Sequence, residues 1–87
     1  MKLKPELDKV TKAFEGIKHL IPEHVKIVKQ QGNYKDLETR IAWDCLRATM
    51  GTKWICNLYD QYDCNDDHIT TLAKQALKAV YKIEGKI

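Results

Sequence analysis

An all-α fold, a small bundle of four or five helices in a single domain over residues 1–87, is what this sequence predicts. Three observations predict it. Apolar residues recur at spacings of three and four through three separate segments, the pattern of helices with one buried face. Glycine (four) and proline (two) are too scarce to punctuate the many turns of an all-β chain. Apolar residues make up 44% and charged residues 31% of the chain, the balance of a folded domain rather than a disordered one. Eighty-seven residues supply a core just large enough to fold alone.

The first element is "LKPELDKVTKAFEGIKHLI". Leu7, Val10, Phe14, Ile17 and Ile21 line one stripe, and lysines occupy the other side. Pro5 suits the first helical turn, where its missing N–H is not needed. Gly16 weakens the helix by roughly 1 kcal/mol relative to alanine. Pro22 is expected to push Ile21 toward an extended conformation and so to separate this helix from the next.

"PEHVKIVKQQGN" is ambiguous. Val25 and Val28 fit a helical face with Pro22 at its start, whereas Val-Lys-Ile could alternate as a strand. With no second strand to pair with, a short helix ended by Gly32 is the expectation. Asn33 then caps a third helix, with Asp36 near its positive end.

That third helix, "YKDLETRIAWDCLRATM", is expected to bury Leu37, Ile41, Cys45 and Ala48, with Trp43, Leu46 and Met50 widening the arc. Arg40, Asp44 and Arg47 share another face at i, i+4 and i+7, the spacing of a surface ion-pair row. Gly51 and Thr52 interrupt the pattern as a bend. Trp54, Ile55, Leu58 and Tyr59 restart it as a shorter helix. The last helix buries Ile69, Leu72, Ala73, Ala76, Val80 and Ile83, with Leu77 beside them. The expected core is Leu7, Val10, Phe14, Ile17, Ile41, Cys45, Ile55, Leu58, Ile69, Leu72, Ala76 and Val80. Three long stripes in so small a chain leave little room for a closed core, which predicts a homodimer.

Charge and cysteine usage narrow the function classes. The net charge of +3 is uneven: residues 1–32 carry +3, residues 33–69 carry −3 and residues 70–87 carry +3. A chain that coats nucleic acid would be basic throughout. The longest apolar runs are two or three residues, too short for a membrane span. The charged Met-Lys-Leu-Lys start has no apolar stretch after it, so a cytoplasmic protein without a leader is expected. Three cysteines are an odd number with no framework spacing, which predicts free thiols, with Cys45 and Cys56 as small core residues.

The stretch "WICNLYDQYDCNDDHITTLAK" concentrates the chemistry. Cys64 and His68 have zinc-like spacing, but Cys45 and Cys56 are far apart in sequence and fall on apolar faces. Asp63, Asn65 and Asp67 follow the opening of an EF-hand loop. The sixth position is then His68 instead of glycine, and the twelfth is Lys74 instead of glutamate, so the loop fails at two defining positions. No metal and no cofactor are expected. A cap by Asn65 or Asp66 at the last helix, with acids complementing its dipole, accounts for most of the cluster. His19, His24 and His68 lie on different segments with no nucleophile motif beside them, and no nucleotide-binding glycine loop is present. No enzyme activity is predicted.

Two binding surfaces remain. Tyr59, Asp60, Tyr62, Asp63, Asp66 and Asp67 form an acidic, aromatic corner suited to a basic surface on a protein partner. Lys74, Lys78 and Lys82, with Lys86 beyond, form a row that could contact nucleic-acid phosphates, though no aromatic or arginine is interleaved with them.

"DLETRIAWDCLRA" followed by "YDCNDDHITTLAKQALKAV" resembles small uncharacterised proteins of tailed bacteriophages. The resemblance is carried by Glu38, Arg40, Trp43 and Asp44, then by Asn65, Asp66, His68, Ile69, Thr71 and Leu72. It covers the second half of the chain and implies a viral origin but no activity. By analogy, it implies a small module that binds and modulates a host protein, most simply as an inhibitor.

Overall fold

Residues 2–83 are described in a computed structural model, and among them the chain is all-α, with no strand. α1 spans Lys4–Gly16. A 3-10 turn at Lys18–Leu20 leads into α2 at Ile21–Gln31. α3 covers Leu37–Thr49, α4 Thr52–Tyr62 and α5 Asp66–Val80. α5 packs against α1 and α3, and α2 lies against α3. The radius of gyration is 12.6 Å, close to the roughly 12 Å expected for a compact chain of this length.

The first boundary departs from expectation. α1 has Pro5 in its first turn but stops at Gly16, and Ile17 leaves helical geometry at φ −113°, ψ 11°. Ile21 opens α2 with φ −62° and ψ −45°, helical rather than extended, although Pro22 follows it. Ile21 is only 1% exposed, and burying that side chain outweighs the local steric preference ahead of proline. The glycine, the 3-10 turn and the proline together reorient the chain between the two helices.

Residues 22–31 are helical. Val25 and Val28 face the core, and Gly32 ends α2 in the left-handed region at φ +68°, its N–H donating to the Val28 carbonyl at 3.1 Å. The start of α3 differs from expectation. Asn33 and Tyr34 lie outside it, and extended Asp36 is the N-cap residue. The Asp36 carboxylate accepts from the Thr39 hydroxyl at 2.6 Å instead of from a backbone N–H.

α3 buries Leu37, Ile41, Ala42, Cys45 and Leu46, while Ala48, expected inside, is exposed. The buried arc is centred nearer Ala42 and Leu46 because α3 meets α1 and α5 as well as α2. At Gly51 the chain breaks rather than bends. Its φ of +87° with ψ 158° is backbone that only glycine adopts readily, and α4 begins at the next residue.

Of the expected core, Val10, Phe14, Ile41, Cys45, Ile55, Leu58, Ile69, Leu72, Ala76 and Val80 are buried, while Leu7 and Ile17 are half-buried against them. Leu3, Ala42 and Leu77 are each fully enclosed. Leu3 precedes α1 and was not anticipated, since a single leucine before a helix has no periodic partner. Cys56 is exposed, which corrects its expected place in the core. On α4 the buried positions are Ile55 and Leu58, and Cys56 turns to the outer side. α5 ends at Val80, and Tyr81 is extended, so Ile83 packs half-buried from outside the helix.

Candidate functional site

The acidic corner is built where α4 stops and α5 starts. Asp63 ends α4 in the left-handed region at φ +50°, a conformation that aspartate tolerates better than most residues. Its carbonyl accepts from Lys2 Nζ at 2.8 Å. Two residues on, Asn65 caps α5. Its Oδ1 accepts from the His68 N–H at 3.2 Å, and the Asn65 N–H donates to His68 Nδ1 at 3.1 Å. Histidine here takes the part usually played by glutamate or glutamine in a capping box.

Both tyrosines of the corner hold the fold together. The Tyr59 hydroxyl donates to Asp66 Oδ1 across the α4–α5 junction, and the carboxylate beside it pushes the phenol pKa up to about 12. The Tyr62 hydroxyl donates to Glu6 Oε2 of α1 at 2.6 Å, and that hydrogen bond likewise raises its pKa. The Cys64 thiol donates to the Leu58 carbonyl at 3.3 Å. These bonds leave an open depression of about 410 Å³ lined by Tyr59, Cys64, Asn65, Asp66 and Asp67. Asp60, Asp63, Asp66 and Asp67 are exposed around it.

Zinc finds no support in this geometry. Cys64 and His68 are committed to the Leu58 carbonyl and the Asn65 cap, Cys45 is buried in α3, and Cys56 faces outward. Among the described residues no three histidine, cysteine, aspartate or glutamate side chains converge on a metal-sized space.

The lysine row meets acids of α3. Lys74 Nζ lies 3.7 Å from both Asp36 and Glu38, and Lys78 Nζ lies 3.9 Å from Glu38. Lys82 is exposed beyond the end of α5, and Lys86 lies outside the described residues. Asp36 is held below the ordinary carboxylate range, chiefly by the Thr39 hydroxyl and also by Lys74. Two of the three lysines therefore already face carboxylates of their own chain.

A second site joins α2 to α3. Asp44 receives His24 Nε2 at 2.8 Å, Arg40 Nε at 2.9 Å and Arg47 Nη2 at 3.4 Å. Burial pushes its carboxyl upward, but hydrogen bonds from His24 and Arg40, with the charge of Arg40, outweigh that and hold it below its ordinary value. The Arg40–Asp44–Arg47 row is as the spacing predicts. His24, twenty residues away, has no local signal that would pair it with Asp44. Beside the pair lies an apolar cavity of about 220 Å³, lined by Ile17, Leu20, Ile21, His24, Asp44, Cys45 and Ala48. Burial and the nearby Asp44 charge push the Cys45 thiol up to about 11, which disfavours its thiolate at neutral pH. Leu20, which lines this cavity, is 56% exposed, and Ile27 of α2 is 44% exposed.

Among the described residues no helix is long and apolar enough to cross a membrane. Comparison with known proteins finds no matching family model, no matching curated protein and no matching solved structure.

Proposed function

We propose that this chain is a small protein-interaction module of the kind tailed phages supply, which binds a host protein at the acidic corner and inhibits it, with no chemistry of its own. One observation carries the reading. Among the described residues, Glu6, Asp36, Glu38 and Asp44 all have a basic side chain within ion-pair distance. The carboxylates of Asp60, Asp63, Asp66 and Asp67 have none there; Asp8, Glu15 and Glu23 have none either, but they are scattered over α1 and α2, whereas the four of the corner lie together, with Lys2 reaching only the Asp63 carbonyl. Four exposed carboxylates gathered by a capped helix start and a left-handed turn favour a basic partner, and they speed its encounter more than they tighten it. The Tyr59 and Tyr62 hydroxyls are spent internally, so their part is to hold the corner in shape.

Affinity capture from a bacterial lysate, read by mass spectrometry, tests this. Asp60→Lys and Asp67→Lys with Asp63→Asn, the last chosen because asparagine tolerates the left-handed backbone, should leave the circular dichroism helical. Recovery of one dominant host protein should fall sharply with rising salt and with the triple variant. Equal recovery by variant and wild type would put the binding surface elsewhere. Nucleic acid recovered in place of protein would favour the row of Lys74, Lys78 and Lys82, a reading that the carboxylates facing Lys74 and Lys78 weaken.

A further inference from the structure

We infer that the flank of α2 turned away from α3 binds single-stranded nucleic acid, one base entering the pocket between α2 and Tyr81 while Lys26 and Lys82 hold neighbouring phosphates. Pro22, Val25, Lys26 and Lys29 of α2 line this pocket with Tyr81, which follows α5, around an open space of about 260 Å³. Lys26 comes two residues after His24, roughly 200° around the helix. It therefore stands on the other side of α2 from the His24–Asp44 pair. The pocket shares no residue with the acidic corner and stands independently of the function proposed there.

Charge selects the ligand. No carboxylate lines the pocket. Among the described residues, no ion pair or hydrogen bond engages the side chains of Lys26 and Lys82 or the Tyr81 hydroxyl, and both lysines are exposed. Lys29 is engaged within the chain, so Lys26 and Lys82 carry the phosphate contacts. The fold also joins the two basic stretches of the sequence here. Residues 1–32 and residues 70–87, each +3, meet where α2 faces Tyr81. The acidic corner lies at the start of α5 and Tyr81 at its end. Fifteen residues of helix put about 22 Å between them, well beyond the screening length of about 8 Å at physiological salt. A phosphate beside Tyr81 therefore feels the lysines and not the aspartates.

The aromatic ring and the size of the pocket select the form of nucleic acid. A tyrosine among lysines is the pairing that holds unpaired bases, the ring stacking on a base while ammonium groups follow the backbone. A pocket of about 260 Å³ falls below the roughly 300–1,000 Å³ that encloses a whole small ligand. It takes one base of a strand whose neighbours run over the surface. Bases of a duplex are stacked on one another and do not enter. No arginine lines the site, and stacking is open to every base, so sequence preference is weak.

Fluorescence anisotropy of a labelled oligothymidylate of about twelve nucleotides, titrated with the full chain at about 50 mM salt, tests the inference. Binding should saturate below about 1 mM protein. Two phosphate contacts should give log K a slope of about −1.4 against log salt. The same strand annealed to its complement should bind about tenfold more weakly. Tyr81→Leu, which keeps an apolar side chain at this half-buried position, should weaken binding about tenfold and leave the salt slope unchanged. Lys26→Gln/Lys82→Gln should flatten the slope, with circular dichroism unchanged at these exposed positions. Lys74→Gln/Lys78→Gln, on the row that faces Asp36 and Glu38, should shift affinity by less than about twofold. No binding by about 1 mM, a duplex bound as tightly as the single strand, or a Tyr81→Leu variant as tight as wild type would overturn the inference. So would a salt slope indifferent to Lys26→Gln/Lys82→Gln, or binding lost in Lys74→Gln/Lys78→Gln. None of these outcomes bears on capture of a protein at the acidic corner.

Discussion

Replacing Asp44 by asparagine tests the polar hub that joins α2 to α3. The carboxylate accepts from His24 at 2.8 Å, Arg40 at 2.9 Å and Arg47 at 3.4 Å, and its own side chain is 19% exposed. Asparagine preserves the shape but removes the charge; its amide oxygen, placed where Oδ2 stands, still accepts from His24 and Arg40, and its NH2 then faces Arg47, itself a donor. A hydrogen bond to a charged group is worth about 1.5–3 kcal/mol when enclosed. The His24 and Arg40 side chains are 40% and 34% exposed, so exchanging the charged acceptor for a neutral one in these two bonds costs only about 0.5–1 kcal/mol each. Arg47, more exposed and at longer range, contributes little. The expected cost is about 1–2 kcal/mol. At about 4–8 °C per kcal/mol for a domain of this size, that lowers Tm by roughly 4–16 °C. Chemical and thermal denaturation followed by circular dichroism would measure it.

The sign with pH is fixed by the same contacts. The folded carboxyl of Asp44 titrates below its ordinary value of 3.8, so its stabilisation is fully present above that value and is lost as pH falls through the folded one. The gap between wild type and Asp44→Asn should therefore be constant near neutrality and narrow in acid. A neutral-pH gap under about 0.3 kcal/mol, or one that persists undiminished once the wild-type carboxyl is protonated, would refute the account.

Other expectations are open to direct measurement. Asn65→Ala removes the acceptor for the His68 N–H and should cost about 1 kcal/mol in denaturant unfolding. Gly51→Ala should destabilise by more than about 1 kcal/mol although no atom crowds the site, because its φ of +87° excludes side chains; Gly16→Ala, at the helical end of α1 with equally open space, should be neutral or gain a few tenths of a kcal/mol. Tyr59 should keep its proton between the ordinary tyrosine value of about 10 and about 12; Tyr59→Phe should delete a step of the phenolate absorbance titration near pH 12. Because the folded phenol is the more basic one, the Tyr59 contribution to stability is present below about pH 10 and disappears as pH rises through about 12.

Sequence alone determined the α character, most of the helix faces and a cap at Asn65 or Asp66, because each depends on residues within one or two turns of one another. Leu72 and Ala76 repeat every four residues, and Asn65 stands three residues from His68, so periodicity and local chemistry suffice. The acidic corner was legible for the same reason, since Asp60, Asp63, Asp66 and Asp67 are near neighbours along the chain. Its internal bonds were not: Tyr62 finds Glu6, 56 residues away, only once the fold brings the end of α4 to the first turn of α1. Where helices stop was likewise settled by packing. Ile21 is helical ahead of a proline because its side chain is enclosed, and α3 buries Ala42 and exposes Ala48 because three other helices surround it. The His24–Asp44 pair, the cavity beside it and the exposed Leu20 and Ile27 had no local signature. They exist only because tertiary packing sets α2 against α3, and the free energy of that packing is shared over contacts that no stretch of sequence contains.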